Sequence, residues 1–457
     1  MKKSIVLILL CALMAGTVGC GKQTDSTPGG DADKEVETSE SGQTTNPVEL
    51  EVVTTFAGND GNAQNYKLFT KEWEKQTGNT VVDKSSITDE TFKSRVINDF
   101  ATGSEPDVLF FFNGADANSF IEAGKVVPLS EIQQEYPDFA VNLDTRRIPT
   151  SMVDDEIYAI PVNGYWEAMF VNTTVLDAAG VEMPGADYTW DMFLADCQKI
   201  KDAGYTPIAA ALGSIPHYWW EFSIFNHTTP ETHMTIPSSV DDELGQAWVA
   251  GMEDIKHLYE LGYFPENTNS ASDDDTFAMF MNGQAAFLID GSWKVGSIVQ
   301  NCQTDLNNPD TLNQAKLDKF SVTFVPGTDS RKATDLIGGM SMGYYITEKA
   351  WKDPDKRAAA VSFVSYMTSD EVAPAFAQHT VNALKNPPVV NTEDYNSLQI
   401  KAMNMLAQCT SYTEAVQDIF QGDCRIPTFD GMPQIVTGQV SARDAVEKGL
   451  EKYKEEN

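Results

Sequence analysis

Apolar strands alternate with amphipathic helices near the start of this chain, and that order limits the possible folds more than any other feature. Short apolar runs at residues 49–56, 80–82 and 107–112 have the length and composition of buried strands. Between them, residues 66–75 and 89–101 carry apolar side chains at helical spacing. Alternation of this kind is typical of a parallel sheet covered by helices. The sequence therefore predicts an α/β fold.

The run MFMNGQAAFLIDGSW at residues 279–293 predicts a further buried strand with functional side chains at its end. Gly283 is expected to end a helix, because glycine tolerates the left-handed backbone of a helix stop. Residues 285–289 are continuously apolar, as in a strand covered on both faces. A sharp turn is expected next, with Asp290 and Trp293 at the carboxyl end of the strand, where ligands collect in open α/β sheets. A core strand followed by a structural tryptophan is the alternative.

The chain is too long for one compact unit. It has 457 residues, of which 42% are hydrophobic, and this is ample for a large buried core. Towards the C terminus the pattern predicts helices at about residues 395–409, 412–421 and 441–455.

The formal net charge of −35 bears on the class of partner. An acidic surface repels nucleic acid and anionic lipid, so neither is expected to bind. The chain has no Walker or dinucleotide glycine signature and no paired metal-ligand spacing. The run 273–275 (DDD) lacks the glycine turn of a calcium loop and is expected to begin a helix. Neither a cofactor nor a metal is therefore predicted.

The N terminus has the features of a lipoprotein signal peptide. A basic pair, Lys2-Lys3, precedes an apolar stretch at residues 5–13 that is short for a membrane span. The following TVGC ends at Cys20 and resembles a bacterial lipobox. This predicts a signal peptide at residues 1–19, a lipidated Cys20 and a disordered acidic tether at residues 20–47. A cleaved secretory peptide with an incidental cysteine is the alternative.

Four cysteines remain after the signal segment, and an exported protein is permitted to form disulfides. Their spacing does not determine any pairing, and free buried thiols are an equal alternative. These cysteines are Cys197, Cys302, Cys409 and Cys424.

Four segments, in this order, resemble a known family of proteins. The first is PDVLFFFNGADANSFIEAGKVVPL at residues 106–129, and the second is residues 164–204, which contain TWDMF. The third is FMNGQAAFLIDGSW at residues 280–293, and the fourth is residues 326–376. The ordered set is similar to the family 1 extracellular solute-binding proteins, the carbohydrate-capturing lipoproteins of ABC-type importers.

The resemblance implies a two-lobed α/β fold of the periplasmic-binding-protein type II, with a hinge and a ligand cleft between the lobes. Lobe one is expected at residues 48–164 and 326–380, and lobe two at residues 165–325 and 381–457. The resemblance further implies a monomeric, non-enzymatic protein on the outer face of the cell membrane. Its expected partners are a small carbohydrate, the permease subunits of an ABC importer and, through the lipid anchor, the membrane.

A sugar site needs flat aromatic side chains for the C–H faces of the ring and polar side chains for its hydroxyl groups. With the resemblance, this requirement predicts a set of ligand-binding residues around the cleft. Trp293 has the strongest support, followed by Tyr165 and one of Trp219 and Trp220. Packing inside or between the lobes is the alternative for each. The predicted set is Phe56, Asn113, Asp116, Tyr165, Trp166, Glu167, Trp219, Trp220, Glu221, Asp290, Trp293, Gly338, Gly339, Arg425 and Phe429.

Two other functions stay open at this stage. An exported glycoside hydrolase would need two carboxylates beside one glycosidic bond, and Glu167, Glu221 and Asp290 are the available acids. A ligand-sensing partner of a membrane receptor would use the same fold. The sequence favours an oligosaccharide only through its aromatic content and does not identify the solute.

Overall fold

A computed structural model describes most of the chain from residue 47 onwards. The signal peptide expected at residues 1–19, Cys20 and the tether up to residue 46 lie outside the described residues. Within the described part, no helix is both long and apolar enough to cross a membrane. The description covers residues 47–456 except 59, 88–89, 216, 306–307, 388–392 and 394.

The strands of the described residues form two separate sheets. We call the elements around the sheet of four strands the first lobe, and those around the sheet of six strands the second lobe. The strands are β1 (Glu49–Val53), β2 (Thr80–Asp83), β3 (Val108–Phe112), β4 (Tyr165–Asn172), β5 (Thr206–Ile208), β6 (Ala285–Gly291), β7 (Phe320–Thr323), β8 (Asp335–Gly339), β9 (Met342–Ile346) and β10 (Ser411–Thr413).

Helices cover both sheets, and side-chain caps fix where several of them begin. Ser272 accepts a hydrogen bond from the Asp275 backbone, and the Asp275 carboxylate accepts one from the Ser272 backbone. The acidic run at 273–275 therefore begins a helix, as predicted. The α-helices are α1 (Ala63–Thr77), α2 (Glu90–Thr102), α3 (Asn118–Glu122), α4 (Leu129–Glu135), α5 (Thr173–Ala179), α6 (Trp190–Asp202), α7 (His217–Phe225), α8 (Glu243–Glu260), α9 (Asp273–Met281), α10 (Trp293–Asn301), α11 (Gln314–Leu317), α12 (Glu348–Lys352), α13 (Pro354–Met367), α14 (Ala373–Phe376), α15 (Ser397–Leu406), α16 (Met432–Val436) and α17 (Ala442–Glu456).

The first sheet has the strand order β2-β1-β3-β9. Strand β1 is parallel to β2 and β3, which confirms the prediction from the alternating strands and helices. Strand β9 comes from much later in the chain and pairs antiparallel with β3. Along β3, Val108 and Phe110 enter one hydrophobic core, while Leu109 and Phe111 enter another. Both faces of this sheet are therefore covered by apolar side chains.

The second sheet has the order β10-β8-β4-β6-β5, with β7 also paired to β4. Strand β4 lies at its centre and is antiparallel to β6, β7 and β8. Because side chains alternate along a strand, Met169 and Val171 enter one core, whereas Ala168 and Phe170 enter the other. The same alternation sets the direction of the side chains at the beginning of β4.

The chain changes sheets later than the resemblance implies. Strand β8 pairs with β4 and β10 in the second sheet, and β9 joins the first, so the crossover lies at residues 340–341 rather than near 326. Arg331 helps to hold this segment on the second lobe, because its buried guanidinium donates to Asn226 and to the Pro326 carbonyl. The next first-lobe segment extends beyond residue 380, since the Lys385 backbone donates to Asn142.

The two lobes touch through backbone contacts that leave no room for side chains. A Cβ atom on Gly61 of the first lobe would lie 3.1 Å from the Cα of Gly296 on α10. A Cβ atom on Gly114 would lie 2.5 Å from the backbone oxygen of Asp418. The described conformation is therefore closed, and it depends on glycine at these contacts.

The contact between Gly61 and Gly296 predicts that a side chain at residue 296 will separate the lobes. Gly296→Leu should be tolerated by α10, since leucine favours helices, but its side chain would collide with the backbone of the facing loop. We expect a larger radius of gyration in small-angle X-ray scattering, with little change in helix content by circular dichroism. Asn301→Ala, at the exposed end of the same helix, is the control. An unchanged radius for Gly296→Leu would contradict the prediction.

Candidate ligand site between the lobes

The beginning of β4 places a buried acid beside the contact between the lobes. Alternation along the strand puts Tyr165 and Glu167 on one face and sends Trp166 into the opposite core. The Glu167 side chain is 0% exposed, and neither of its carboxylate oxygens has a hydrogen-bond partner among the described residues. The Tyr165 hydroxyl likewise has no partner there. Buried polar atoms are normally hydrogen-bonded, so these three atoms indicate a binding site.

An aromatic wall stands next to this acid. In the antiparallel register Gly291 of β6 lies opposite Glu167, and the Trp293 indole covers Gly291 so closely that a Cβ atom there would overlap the ring. The ring centroid of Trp293 lies 6.5 Å from that of Tyr165 and 6.0 Å from that of Tyr218. Tyr165, Tyr218 and Trp293 therefore form a continuous aromatic surface beside Glu167.

The segment between β6 and α10 differs from the sharp turn expected there. Strand β6 continues through Gly291, and Trp293 is already the first residue of α10. Asp290 lies opposite Ala168, on the sheet face away from Glu167. There its carboxylate accepts from the Gly291 backbone at 2.7 Å and pairs with Lys294 at 3.3 Å. Lys294 also pairs with Asp273 at 2.7 Å, so the two acids share one lysine.

A short loop carries a further acid to the site. The helix predicted at residues 412–421 is wrong, because β10 ends at Thr413 and a single 3₁₀ turn, Val416–Asp418, follows. Glu221 holds this turn, since its carboxylate accepts from the backbone of Val416 at 2.9 Å and of Gln417 at 2.6 Å. His233 contacts the same carboxylate at 3.1 Å. Glu221 is therefore a positioning residue that brings Asp418 towards Glu167.

The first lobe brings charged and polar groups to the same contact. Asp116 pairs with Lys93 at 3.0 Å, and both act electrostatically on Asp418. Asn113 donates to the Met340 carbonyl at 2.6 Å, which ties its loop to the crossover between the sheets. The closed contact therefore has acidic groups on both lobes, together with Lys93 of the first lobe.

Burial raises the pKa of three acids in and near this contact. The pKa of Glu167 lies well above its ordinary value, first because of desolvation and then because of Glu221, Asp418 and Asp290. The pKa of the partly exposed Asp418 is raised to about 8 by desolvation, although Lys93 opposes the shift. Desolvation also raises the pKa of Asp290 to about 7 against the effect of Lys294.

The remaining predicted residues lie mostly in hydrophobic cores. Phe56 packs in the first lobe, and Trp219, Trp220 and Phe429 pack together in one core of the second. Trp166 is also buried, and its indole donates to the His379 carbonyl at 2.8 Å.

Arg425 and the glycine pair are placed by other contacts. Arg425 lies over the Phe429 ring at 5.3 Å and pairs with Asp430 at 3.8 Å. Gly338 and Gly339 pair with β4, where a Cβ atom on Gly338 would lie 2.7 Å from the Tyr165 carbonyl oxygen. The glycine pair therefore supports the strand that carries Glu167.

Sequence reasoning missed Tyr218, Asp418 and Lys93. Tyr218 precedes two tryptophans in a helix without separate polar and apolar faces, so helical spacing does not single it out. Asp418 lies within residues 412–421, which the sequence pattern wrongly predicts to be a helix. Lys93 lies far from any aromatic cluster in the sequence, and only the fold brings it to Asp116.

A cavity of about 200 Å³ lies next to the contact between Gly114 and Asp418. Residues of both lobes line it, including Ala115 and Met152 from the first and Ile419 and Gln421 from the second. It therefore lies at the contact between the two lobes.

The described residues contain no group of three or more His, Cys, Asp or Glu side chains that could hold a metal ion. In the described part of the chain, Cys197, Cys302, Cys409 and Cys424 form no disulfide bond. The described fold is therefore held together without a disulfide among these four residues.

Residues 59–374 match the family of bacterial extracellular solute-binding proteins. The chain belongs to this family. Its members act outside the cytoplasm and are binding proteins rather than enzymes. A comparison with curated protein sequences gives no match.

Solved structures of sugar-binding proteins share the fold. A chitin oligosaccharide binding protein has 21% identity and a TM-score of 0.74, over 90% of this chain and 98% of that one. A substrate-binding protein from Listeria monocytogenes, in complex with cycloalternan, has 17% identity and a TM-score of 0.67, over 90% and 99%. The RafE protein in complex with raffinose has 16% identity and a TM-score of 0.65, over 89% and 98%. These similarities confirm the predicted two-lobed type II fold for this solute-binding protein.

The raised pKa of Asp418 predicts that the ligand-free protein loses stability as the pH rises. The folded state holds this proton up to about pH 8, whereas the ordinary aspartate value is 3.8. The resulting stability is complete below about pH 4 and is lost as the pH rises towards about 8. We expect the melting temperature to fall between about pH 5 and pH 8.

The variant Asp418→Asn should reduce this fall, because the amide does not titrate. Asp423→Asn, an exposed position close by in the chain, is the matched control and should keep the full pH dependence. Melting curves recorded for all three proteins across the pH range make the comparison. An identical pH dependence for Asp418→Asn and the unsubstituted protein would contradict the prediction.

Proposed function

We propose that this solute-binding protein captures an oligosaccharide outside the cell and delivers it to the permease subunits of an ABC importer. The observation that supports this most directly is the aromatic surface of Tyr165, Tyr218 and Trp293 beside the unpartnered oxygens of Glu167. The aromatic rings would stack on the apolar faces of a sugar ring. The carboxylate would accept hydrogen bonds from its hydroxyl groups.

The proposed ligand has more than one sugar unit. A cavity of about 200 Å³ lies beside the contact between Gly114 and Asp418 and is lined by residues of both lobes. The proteins bound to cycloalternan and raffinose, and the one named for chitin oligosaccharides, have the same fold. The oligosaccharides named for these relatives, together with the cavity between the lobes, support an oligosaccharide as the proposed ligand.

The proposal includes the attachment of the protein to the membrane. Lipidation of Cys20 would hold a monomer at the outer face of the cell membrane, with residues 21–47 as the tether. Palmitate incorporation into the unsubstituted protein, and its loss in Cys20→Ser, would test this part separately.

Binding is tested with a panel of neutral and charged oligosaccharides and a thermal shift readout. A ligand that binds only the native state raises the melting temperature by mass action. Trp293→Ala should weaken the binding of the best ligand in the panel by about 2 kcal/mol, which raises its dissociation constant roughly thirtyfold. The reason is that tryptophans in desolvated contacts contribute strongly to binding.

The control is Trp190→Ala, which removes a partly buried tryptophan of the same lobe from α6. It should leave the affinity unchanged, whatever it does to the melting temperature. The proposal fails if no sugar in the panel shifts the melting temperature. Release of new reducing ends during incubation would instead support the glycoside hydrolase.

A further inference from the structure

We propose that the ligand carries a protonated amine, so that this cleft selects cationic amino sugars through the Glu167 carboxylate. This inference rests on the proposed function and narrows its substrate class. It is drawn from the hydrogen-bonding groups and the charges around Glu167.

The unpartnered groups in the cleft are mostly acceptors. Glu167 contributes two carboxylate oxygens, and Tyr165 contributes one hydroxyl, each without a partner among the described residues. A neutral sugar hydroxyl has one hydrogen to donate and brings two lone pairs of its own that need donors. An ammonium group has three donors and no acceptor, so it can donate to both Glu167 oxygens and to the Tyr165 hydroxyl oxygen.

The charges of the groups near Glu167 also favour a cationic ligand. The groups that act on it electrostatically are the carboxylates of Glu221, Asp418 and Asp290. Among the described residues no lysine, arginine or histidine forms an ion pair with Glu167. Burial and these neighbouring acids oppose ionisation of Glu167, and a cationic partner inside the cleft would favour its ionised form.

The nearby lysines already have partners. Lys294 is shared between Asp290 and Asp273, at 3.3 and 2.7 Å. Lys93 pairs with Asp116 across a distance of 3.0 Å. Neither lysine can therefore pair with Glu167 without leaving another buried or half-buried carboxylate unpaired, so a cation beside Glu167 would have to come from the ligand.

The aromatic surface is compatible with such a ligand. A cation next to the faces of Tyr165, Tyr218 and Trp293 would be attracted by their π electrons, while the apolar face of the sugar ring still stacks on them. The same three rings would bind a neutral sugar less tightly, because it would stack on the rings but make no cation–π interaction with them.

The test compares three trimers with one β-1,4-linked backbone. Cellotriose has a hydroxyl at each C2 position, triacetylchitotriose has a neutral amide, and chitotriose has a protonated amine. Isothermal titration calorimetry at about pH 7 and low salt gives the three dissociation constants for the unsubstituted protein. We expect chitotriose to bind at least about tenfold tighter than either neutral trimer, as for a hydrogen bond that becomes charge-assisted.

Two variants assign the preference to Glu167. Glu167→Gln removes the charge with little change in shape, and it should reduce the ratio between chitotriose and cellotriose to within about threefold. Glu266→Gln removes an exposed charge of the same lobe and should keep the full ratio. Circular dichroism melting of both variants shows that any change in the ratio is measured on folded protein.

The possible outcomes separate this inference from the proposed function. If neutral trimers bind as tightly as chitotriose, the amine preference is wrong and sugar capture stands. A chitotriose preference that survives in Glu167→Gln would overturn the role of Glu167. If neither these trimers nor any other sugar of the panel binds, the proposed function fails and this inference fails with it.

Discussion

The central position of β4 in the second sheet is the constraint on which the site depends. Its antiparallel pairing with β6, β7 and β8 fixes which side chains point into each core. A shift by one residue would send Glu167 into the apolar core and bring Trp166 to the cleft. The pairing thus holds an acid in a dry environment at the contact between the lobes, where its burial has functional consequences.

At the closed contact, close packing of the lobes is opposed by the cost of removing charged groups from water. Gly61, Gly114 and Gly296 let the lobes approach to backbone contact. The approach desolvates Glu167 and Asp418, and their raised pKa values are a measure of that cost. A ligand that donates hydrogen bonds to these carboxylates would offset the cost. A solute bound between the lobes would then stabilise this closed contact further.

Much of the fold could be predicted from local patterns. The parallel strands β1 to β3 follow from strands alternating with helices, and the acidic run at 273–275 predicts a helix start. The ordered resemblance over four segments predicted the family and the two-lobed fold. The predicted crossover at residue 326 differs from that of the structure, because β8 carries no signal in its own sequence for the sheet that it joins.

The site was less predictable, since an aromatic side chain suits a core and a sugar site equally well. The sequence determined the α/β class, the family, and Tyr165, Glu167 and Trp293 as candidates for the cleft. Tertiary structure decided that Trp219 and Trp220 are core residues, that Glu221 positions a loop, and that Tyr218 and Asp418 lie near Glu167. The physical reason is that these directions depend on strand register and on contacts between distant segments, such as the bonds from Val416 and Gln417 to Glu221. Sequence spacing alone does not contain that information.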